Sequence, residues 1–197
     1  MRSASIGIMA IIFIFCISAF AFAGIVGPYT GQVIDSQTGG PIQGASVLIY
    51  WEKGMPSPGG EITDFIKADL VYADNQGKYS IPLTILNTGL LGYLSSTVFI
   101  IYQPGYQAYI VSIFGGHNKP FKQINNVVKL DRIPPNFDYK KHYRDIESAI
   151  GDLGEYHESS PESRDTMATW NRKIETSGRG VPLREEFLRR VAWEERR

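Results

Sequence analysis

Seven short runs of β-branched and aromatic residues follow one another between residues 29 and 131, and turn-forming Gly, Pro, Asn and Asp residues separate them. Runs of this kind are typical of β-strands. In the run SVLIYW, Val47, Ile49 and Trp51 alternate onto one face, as the two-residue period of a strand requires. Seven strands in about a hundred residues match the size of an immunoglobulin-like sandwich. The sequence therefore predicts a mainly β fold, a seven-stranded antiparallel β-sandwich. The predicted strands are Gly31–Asp35, Ala45–Trp51, Lys67–Ala73, Lys78–Leu83, Thr97–Gln103, Gln107–Ile113 and Asn126–Leu130.

An apolar run at residues 6–23 follows the basic residue Arg2. The run ends in Ala-Phe-Ala, the small-x-small pattern that signal peptidase recognises, so we predict cleavage between Ala23 and Gly24. The alternative is an uncleaved membrane anchor, because the run nearly reaches the ~20 residues that a membrane span needs. We expect residues 1–23 to be a signal peptide and the protein to be exported, either periplasmic or extracellular.

Cysteine content and net charge exclude several classes of site. Cys16, the only cysteine, lies in the apolar run, so the cleaved chain has no disulfide, thiolate nucleophile or cysteine-based metal site. The formal net charge is +0. A nucleic-acid-binding surface would need a clustered basic excess. We therefore expect no nucleic-acid partner, and no membrane contact beyond the N-terminal run unless that run is uncleaved.

The distribution of charge marks a boundary. Residues 24–130 carry 6 acidic and 6 basic side chains, whereas the shorter stretch 131–197 carries 14 acidic and 13 basic ones. A Pro-Pro pair lies close to this change. We predict a β domain at residues 24–133 and a charged helical extension at residues 134–197.

Three motifs of the β region follow the pattern of one family. They are GQVIDSQTGGPIQGASVLIYW from Gly31, ADNQGKYSIP from Ala73 and YQPGYQAYIV from Tyr102. On these motifs the stretch 29–130 resembles the carboxypeptidase regulatory-like family. The resemblance implies a transthyretin-like β-sandwich, a fold that this family also uses as stalks or N-terminal modules of larger exported proteins. It says almost nothing about activity. The residues that fit the motifs are Gly31, Val33, Asp35, Thr38, Gly39, Pro41, Ile42, Gly44, Ala45, Val47, Asp74, Gly77, Tyr79, Gly105 and Tyr106.

The three histidines show no catalytic or metal-binding spacing. His117 lies in a Gly-rich loop, His142 in a helical pattern and His157 in a polar stretch, and no two are four residues apart. The HYRD sequence is similar to the zinc motif of metallocarboxypeptidases, but Asp145 stands where that motif has Glu. The sequence also lacks a G-x-S-x-G motif and a Walker loop. We predict no enzyme activity, cofactor or metal. A hydrolase with an unrecognised site, for example at His117, is the enzymatic alternative.

The stretch LTILNTGLLGYLSS, residues 83–96, is the most unusual part of the β region. Its apolar residues Leu90, Leu91 and Tyr93 either cover the core or form an exposed apolar lip that contacts a partner.

Tyr102, Tyr106 and Tyr109 lie close to a Pro-Gly turn. Tyrosine rings of this kind can stack on sugars, although tyrosine is also common in ordinary strands. Carbohydrate or surface-polymer binding through these three rings is therefore an alternative function.

After residue 135 the apolar period changes from two to about 3.6, which indicates helices. The first predicted helix is Asp138–Leu153, with Tyr143, Ile146 and Ile150 on one face; Trp170 belongs to a second. A third begins near Pro182, with Leu183, Phe187 and Val191 facing inward.

Two roles are open for these helices. They pack on the β domain and complete the fold, or they form a docking segment that becomes ordered against another envelope protein. The primary functional prediction is a non-enzymatic exported β-sandwich module that makes protein–protein contacts in the cell envelope.

Overall fold

Strands account for most of the regular structure. A computed structural model describes residues 23–89, 91–113, 121–150 and 185–191. One helix, α1, spans Tyr139–Ile150, and residues 185–191 are also helical. The nine strands within these ranges are β1 (Ala23–Val26), β2 (Tyr29–Asp35), β3 (Ser46–Ser57), β4 (Gly60–Tyr72), β5 (Lys78–Ile81), β6 (Thr84–Asn87), β7 (Tyr93–Tyr102), β8 (Tyr109–Ser112) and β9 (Asn126–Leu130).

The described strands form three sheets. Four strands are joined in the order β4-β3-β7-β8, and three strands in the order β5-β2-β9. β1 and β6 pair only with each other, and we call this pair the β1–β6 ribbon. The fold is therefore mainly β, as the sequence predicts.

The expected count of seven strands is corrected to nine within the described ranges, because β1 and β6 were not predicted. Each of these strands has only four residues. β1 continues from the apolar N-terminal run, whose composition hides any two-residue period. β6 lies in the stretch 83–96, outside the seven predicted strands, and the predicted strand Lys78–Leu83 ends at Ile81 in the structure. Pro82 follows, and it has no backbone N–H to continue a ladder.

The prediction of a wholly antiparallel sandwich is wrong for one pair. β2 and β9 run parallel, with Gly31 opposite Asn126 and Asp35 opposite Leu130. A parallel pair requires a long connection, and all the intervening strands supply it here. After β8 the chain leaves the four-stranded sheet and returns to the end of the three-stranded sheet at which β2 begins. β9 starts at that end and runs beside β2.

One hydrophobic core contains side chains from both larger sheets. Val33 of β2 and Val128 of β9 belong to the same buried cluster as Ile49 of β3 and Phe99 of β7. The ring of Tyr29 packs edge-on against Phe99, with centroids 5.1 Å apart. We call this cluster the inter-sheet core.

A second buried cluster lies on the opposite face of the four-stranded sheet. Leu48 and Ile100 project from that face and pack with Ile146 of α1 and with Phe187 of the C-terminal helical residues. The hydroxyl of Tyr50 also donates a hydrogen bond of 2.6 Å to the carbonyl of Ala149. The central strand β3 is thus buried on both faces, which explains why SVLIYW is almost continuously apolar.

The start of α1 follows from its sequence. The carboxylate of Asp138 accepts a hydrogen bond of 2.9 Å from the backbone N–H of Lys141, as an N-cap residue does. No helix in the described ranges combines the length and the apolar character that crossing a membrane would need.

Candidate functional site

The motif residue Asp35 lies at the centre of a hydrogen-bonded cluster at the end of β2. Its side chain is buried, and Oδ1 accepts hydrogen bonds from the backbone N–H groups of Gln37 at 2.8 Å and Thr38 at 3.0 Å. Oδ2 accepts hydrogen bonds from the Tyr106 hydroxyl at 2.9 Å and from Nε of Arg132 at 2.7 Å. We call Asp35, Tyr106 and Arg132 the Asp35 cluster.

The electrostatics of the Asp35 cluster favour the charged form of the carboxylate. The hydrogen bond from the Thr38 backbone, followed by that from Arg132, holds the pKa of Asp35 well below its ordinary value. Burial and the neighbouring Asp35 raise the pKa of Tyr106. A carboxylate whose two oxygens are both engaged by donors of its own chain is a poor proton acceptor. The cluster therefore joins the β2 turn, the β7–β8 connection and the segment after β9.

Two further motif positions are glycines because a side chain there would have no room. A Cβ atom on Gly31 would lie 2.5 Å from the Asn126 carbonyl oxygen and 2.6 Å from the Tyr79 hydroxyl oxygen. A Cβ atom on Gly77 would collide with the backbone oxygen of Val33. Glycine at these positions therefore allows the later motifs to pack directly on β2.

The apolar lip is exposed where the structure describes it. Leu91 is 75% exposed and Tyr93 is 48% exposed, whereas Leu90 lies outside the described residues. Tyr93 lies opposite Gly54 of β3, and the absence of a side chain there leaves room for the tyrosine ring. A hydrogen bond to Glu61 raises the pKa of Tyr93. The Ser95 hydroxyl also donates to Glu61, at 3.0 Å.

The predicted docking face of the first helix is not free. Ile146 and Ile150 have no exposed surface, and Tyr143 packs against the same cluster. Of the two roles open for the helices, packing on the β domain is the one that these three residues show, and they are not free to dock another protein because the outer face of the four-stranded sheet covers them. Trp170 lies outside the described residues.

The three tyrosines proposed for sugar stacking do not share a face. Tyr102 is 1% exposed and packs in the cluster beneath the helices, whereas Tyr106 and Tyr109 pack partly buried against the inter-sheet core. The expectation of one stacking surface is therefore corrected: the first ring points to one side of its sheet and the other two pack on the opposite side.

His142 has a structural role that the sequence did not indicate. Its Nε2 accepts a hydrogen bond of 2.9 Å from the backbone N–H of Ala108, which ties α1 to the β7–β8 connection. Asp145, the carboxylate of the HYRD sequence, forms an ion pair with the ammonium of Lys141, 3.0 Å away. Within the described ranges, no three His, Cys, Asp or Glu side chains gather as metal ligands would. His117 and His157 lie outside those ranges, as do residues 1–22 of the predicted signal peptide.

Sequence reasoning marked Asp35 and Tyr106 as motif residues but missed their contact and missed Arg132. The only available signal was the position of Arg132, two residues after the last predicted strand. Nothing in the sequence pairs His142 with Ala108, because a contact between a side chain and a backbone N–H has no sequence signature.

No protein-family model matches the sequence, and no curated protein matches it. Among solved structures, the catechol 1,2-dioxygenase from Acinetobacter sp. ADP1 inhibited by bound mercury is 15% identical with a TM-score of 0.37; the match covers 59% of this chain and 55% of that chain. The C-terminal domain of the shaft pilin spaA from Lactobacillus rhamnosus GG is 13% identical with a TM-score of 0.31, covering 57% of this chain and 98% of that one.

A streptococcal ancillary pilin is 15% identical with a TM-score of 0.29, and the match covers 55% of this chain and 30% of that chain. The chain spans little more than half the length of the catechol and chlorocatechol 1,2-dioxygenases that it matches, 55%, 60% and 58%. Similarity at this level assigns neither a family nor a function.

Proposed function

We propose that this chain is a non-enzymatic exported module that makes protein–protein contacts in the cell envelope. The apolar run at residues 6–23 directs it to that compartment. In this proposal the two larger sheets form a transthyretin-like β-sandwich of the carboxypeptidase regulatory-like type. The structural roles of Gly31, Asp35, Gly77 and Tyr106 support that assignment, because motif positions join separate parts of the fold.

The exposed lip at the start of β7 carries the functional proposal. Leu91 is the most exposed large hydrophobic side chain in the described ranges, at 75%, and Tyr93 lies two residues away. Exposed apolar and aromatic side chains close together are typical of protein interaction sites. Tyr93 also has a polar rim, since Glu61 and Ser95 lie beside it.

Site-specific photo-crosslinking tests the proposal. A photoreactive residue replaces Leu91 in the full chain, and the cells that export the protein are irradiated. We expect one defined covalent adduct with another envelope protein. The Tyr93→Ala substitution should lower the yield of that adduct several-fold, because a buried aromatic anchor often dominates the energy of an interface.

Val127 supplies the matched control. It is 55% exposed on β9 of the three-stranded sheet. The same photoreactive residue there should give no specific adduct. Adducts of equal yield at both positions, or none at Leu91, would argue against the lip as the contact site.

A further inference from the structure

The β1–β6 ribbon carries a second exposed apolar surface, separate from the lip. Ile25 and Ile85 lie directly opposite each other in the register and are 67% and 68% exposed. Leu83, two residues before Ile85, is 55% exposed. Strand alternation places Leu83 and Ile85 on the same side. We call these three residues the ribbon face.

The opposite side of the ribbon holds it on the fold. Leu86 is 1% exposed and belongs to the inter-sheet core, and Val26 packs against that core. Because the inner side of both strands packs on the core, the ribbon face points outward. Its three apolar side chains are a fixed part of the surface.

The two strands of the ribbon and the residues next to them in the sequence carry no Asp, Glu, Lys or Arg. Residues 24–34 contain no Asp, Glu, Lys or Arg, and neither do residues 79–118. β1 and β6 both fall within these stretches. Protein surfaces that face water normally intersperse charged side chains. The ribbon itself lacks them and is therefore suited to an apolar environment.

The apolar N-terminal run ends where the ribbon begins. Residues 6–23 are apolar and nearly long enough to span a bilayer. Ile25 follows Ala23 by two residues, which is about 7 Å in an extended strand. A run inserted in a membrane would therefore hold Ile25 at the membrane surface.

We propose that the ribbon face rests on the lipid surface, with residues 6–23 retained as the membrane anchor. This placement requires residues 6–23 to remain uncleaved. It involves a different surface from the lip, to which a protein contact is assigned. The occupant is lipid because the anchor positions the ribbon before any protein partner is needed. The backbone groups of a two-stranded ribbon have unpaired edges, so the ribbon lies in the interfacial layer and only its side chains enter the acyl region.

Fluorescent labelling of the full chain in phosphatidylcholine vesicles tests this placement. Cys16→Ser removes the only native thiol, and a single cysteine at position 83 or 85 then carries an environment-sensitive dye. Two ribbon positions guard against a variant that fails to fold. Gln37 is the control site, because it is exposed and lies at the other end of β2, about 20 Å from the ribbon.

We expect bromine-labelled lipid to lower the fluorescence at positions 83 and 85 at least about twofold, and to leave position 37 unchanged. Equal quenching at all three positions, or none at 83 and 85, would overturn the proposal. So would protection of position 85 from a water-soluble quencher in the absence of lipid, which would show contact with a second copy. A Gly24 N-terminus on the protein isolated from cells would also overturn it, while leaving the adduct at Leu91 unaffected.

Discussion

Single residues of the first motif act through hydrogen bonds made far away in the sequence. One carboxylate oxygen of Asp35 accepts hydrogen bonds from the backbone of Gln37 and Thr38 in its own turn. The other oxygen accepts hydrogen bonds from the side chains of Tyr106 and Arg132. The motif therefore connects separate parts of the fold, and both carboxylate oxygens of Asp35 already accept hydrogen bonds from the protein itself.

The Asp35→Asn substitution should destabilise the protein at neutral pH, because Arg132 loses its ionic partner. The pKa of Asp35 is lowered in the folded chain. Its contribution is therefore complete above the ordinary carboxyl pKa of about 4 and is lost as pH falls below it. Urea unfolding midpoints at several pH values between neutrality and pH ~2 measure this, and we expect a flatter acid dependence in the variant.

Asp145→Asn is the matched control for that experiment. Its ion pair with Lys141 is also carboxylate to cation, but the two side chains are 54% and 68% exposed. Exposed pairs of this kind contribute about 0–1 kcal/mol. If both variants had the same unfolding midpoints at every pH, the structural role assigned to Asp35 would be wrong.

At the scale of elements, the helices complete the β domain. α1 and residues 185–191 cover the outer face of the four-stranded sheet. Tyr50 and His142 add hydrogen bonds across this contact. An amphipathic helix of this length is marginal alone, so its stability comes from the sheet.

Ile146→Ala should lower the free energy of unfolding by about 2–5 kcal/mol, because it leaves a cavity beneath α1. Chemical denaturation measures the change. Ser148→Ala, on the exposed side of the same helix, should be nearly neutral. Hydrogen exchange in the unmodified protein should be slow across residues 143–150; fast exchange there would support a free docking segment instead.

The sequence predicted elements where local pattern was sufficient and failed where pairing was non-local. All seven predicted strands have counterparts, and the first helix is within a few residues of its predicted bounds. The β1–β6 ribbon was missed because β1 continues from an apolar run that shows no two-residue period, and because β6 buries Thr84 and exposes Ile85, the reverse of the usual pattern. The burial of Ile146 was left open, because an amphipathic face indicates that something covers it but does not identify the cover. Exposure of Leu91 could not be read from its apolar character alone.

At the scale of the whole molecule, the boundary after residue 133 separates two compositions but does not separate two independent cores. Leu48, Ile100 and Tyr102 are almost fully buried, and each belongs to the cluster beneath the helices. Removing the extension would expose all three.

A chain ending at residue 133 should therefore self-associate. Size-exclusion chromatography should show oligomers, and a dye that binds apolar surface should fluoresce more strongly than with the full chain. A stable monomer without dye binding would contradict this, and would show that residues 24–133 fold independently of the helices.

The parallel pairing of β2 with β9 also determines when the three-stranded sheet can be completed during synthesis. β2 is the central strand of that sheet, and its partner Leu130 is 95 positions beyond Asp35 in the register. β2 is synthesised early, but it cannot pair with β9 until that much later strand has also been made. Closure is therefore a late event, so the nascent chain lacks its native topology until almost the whole β region has been synthesised.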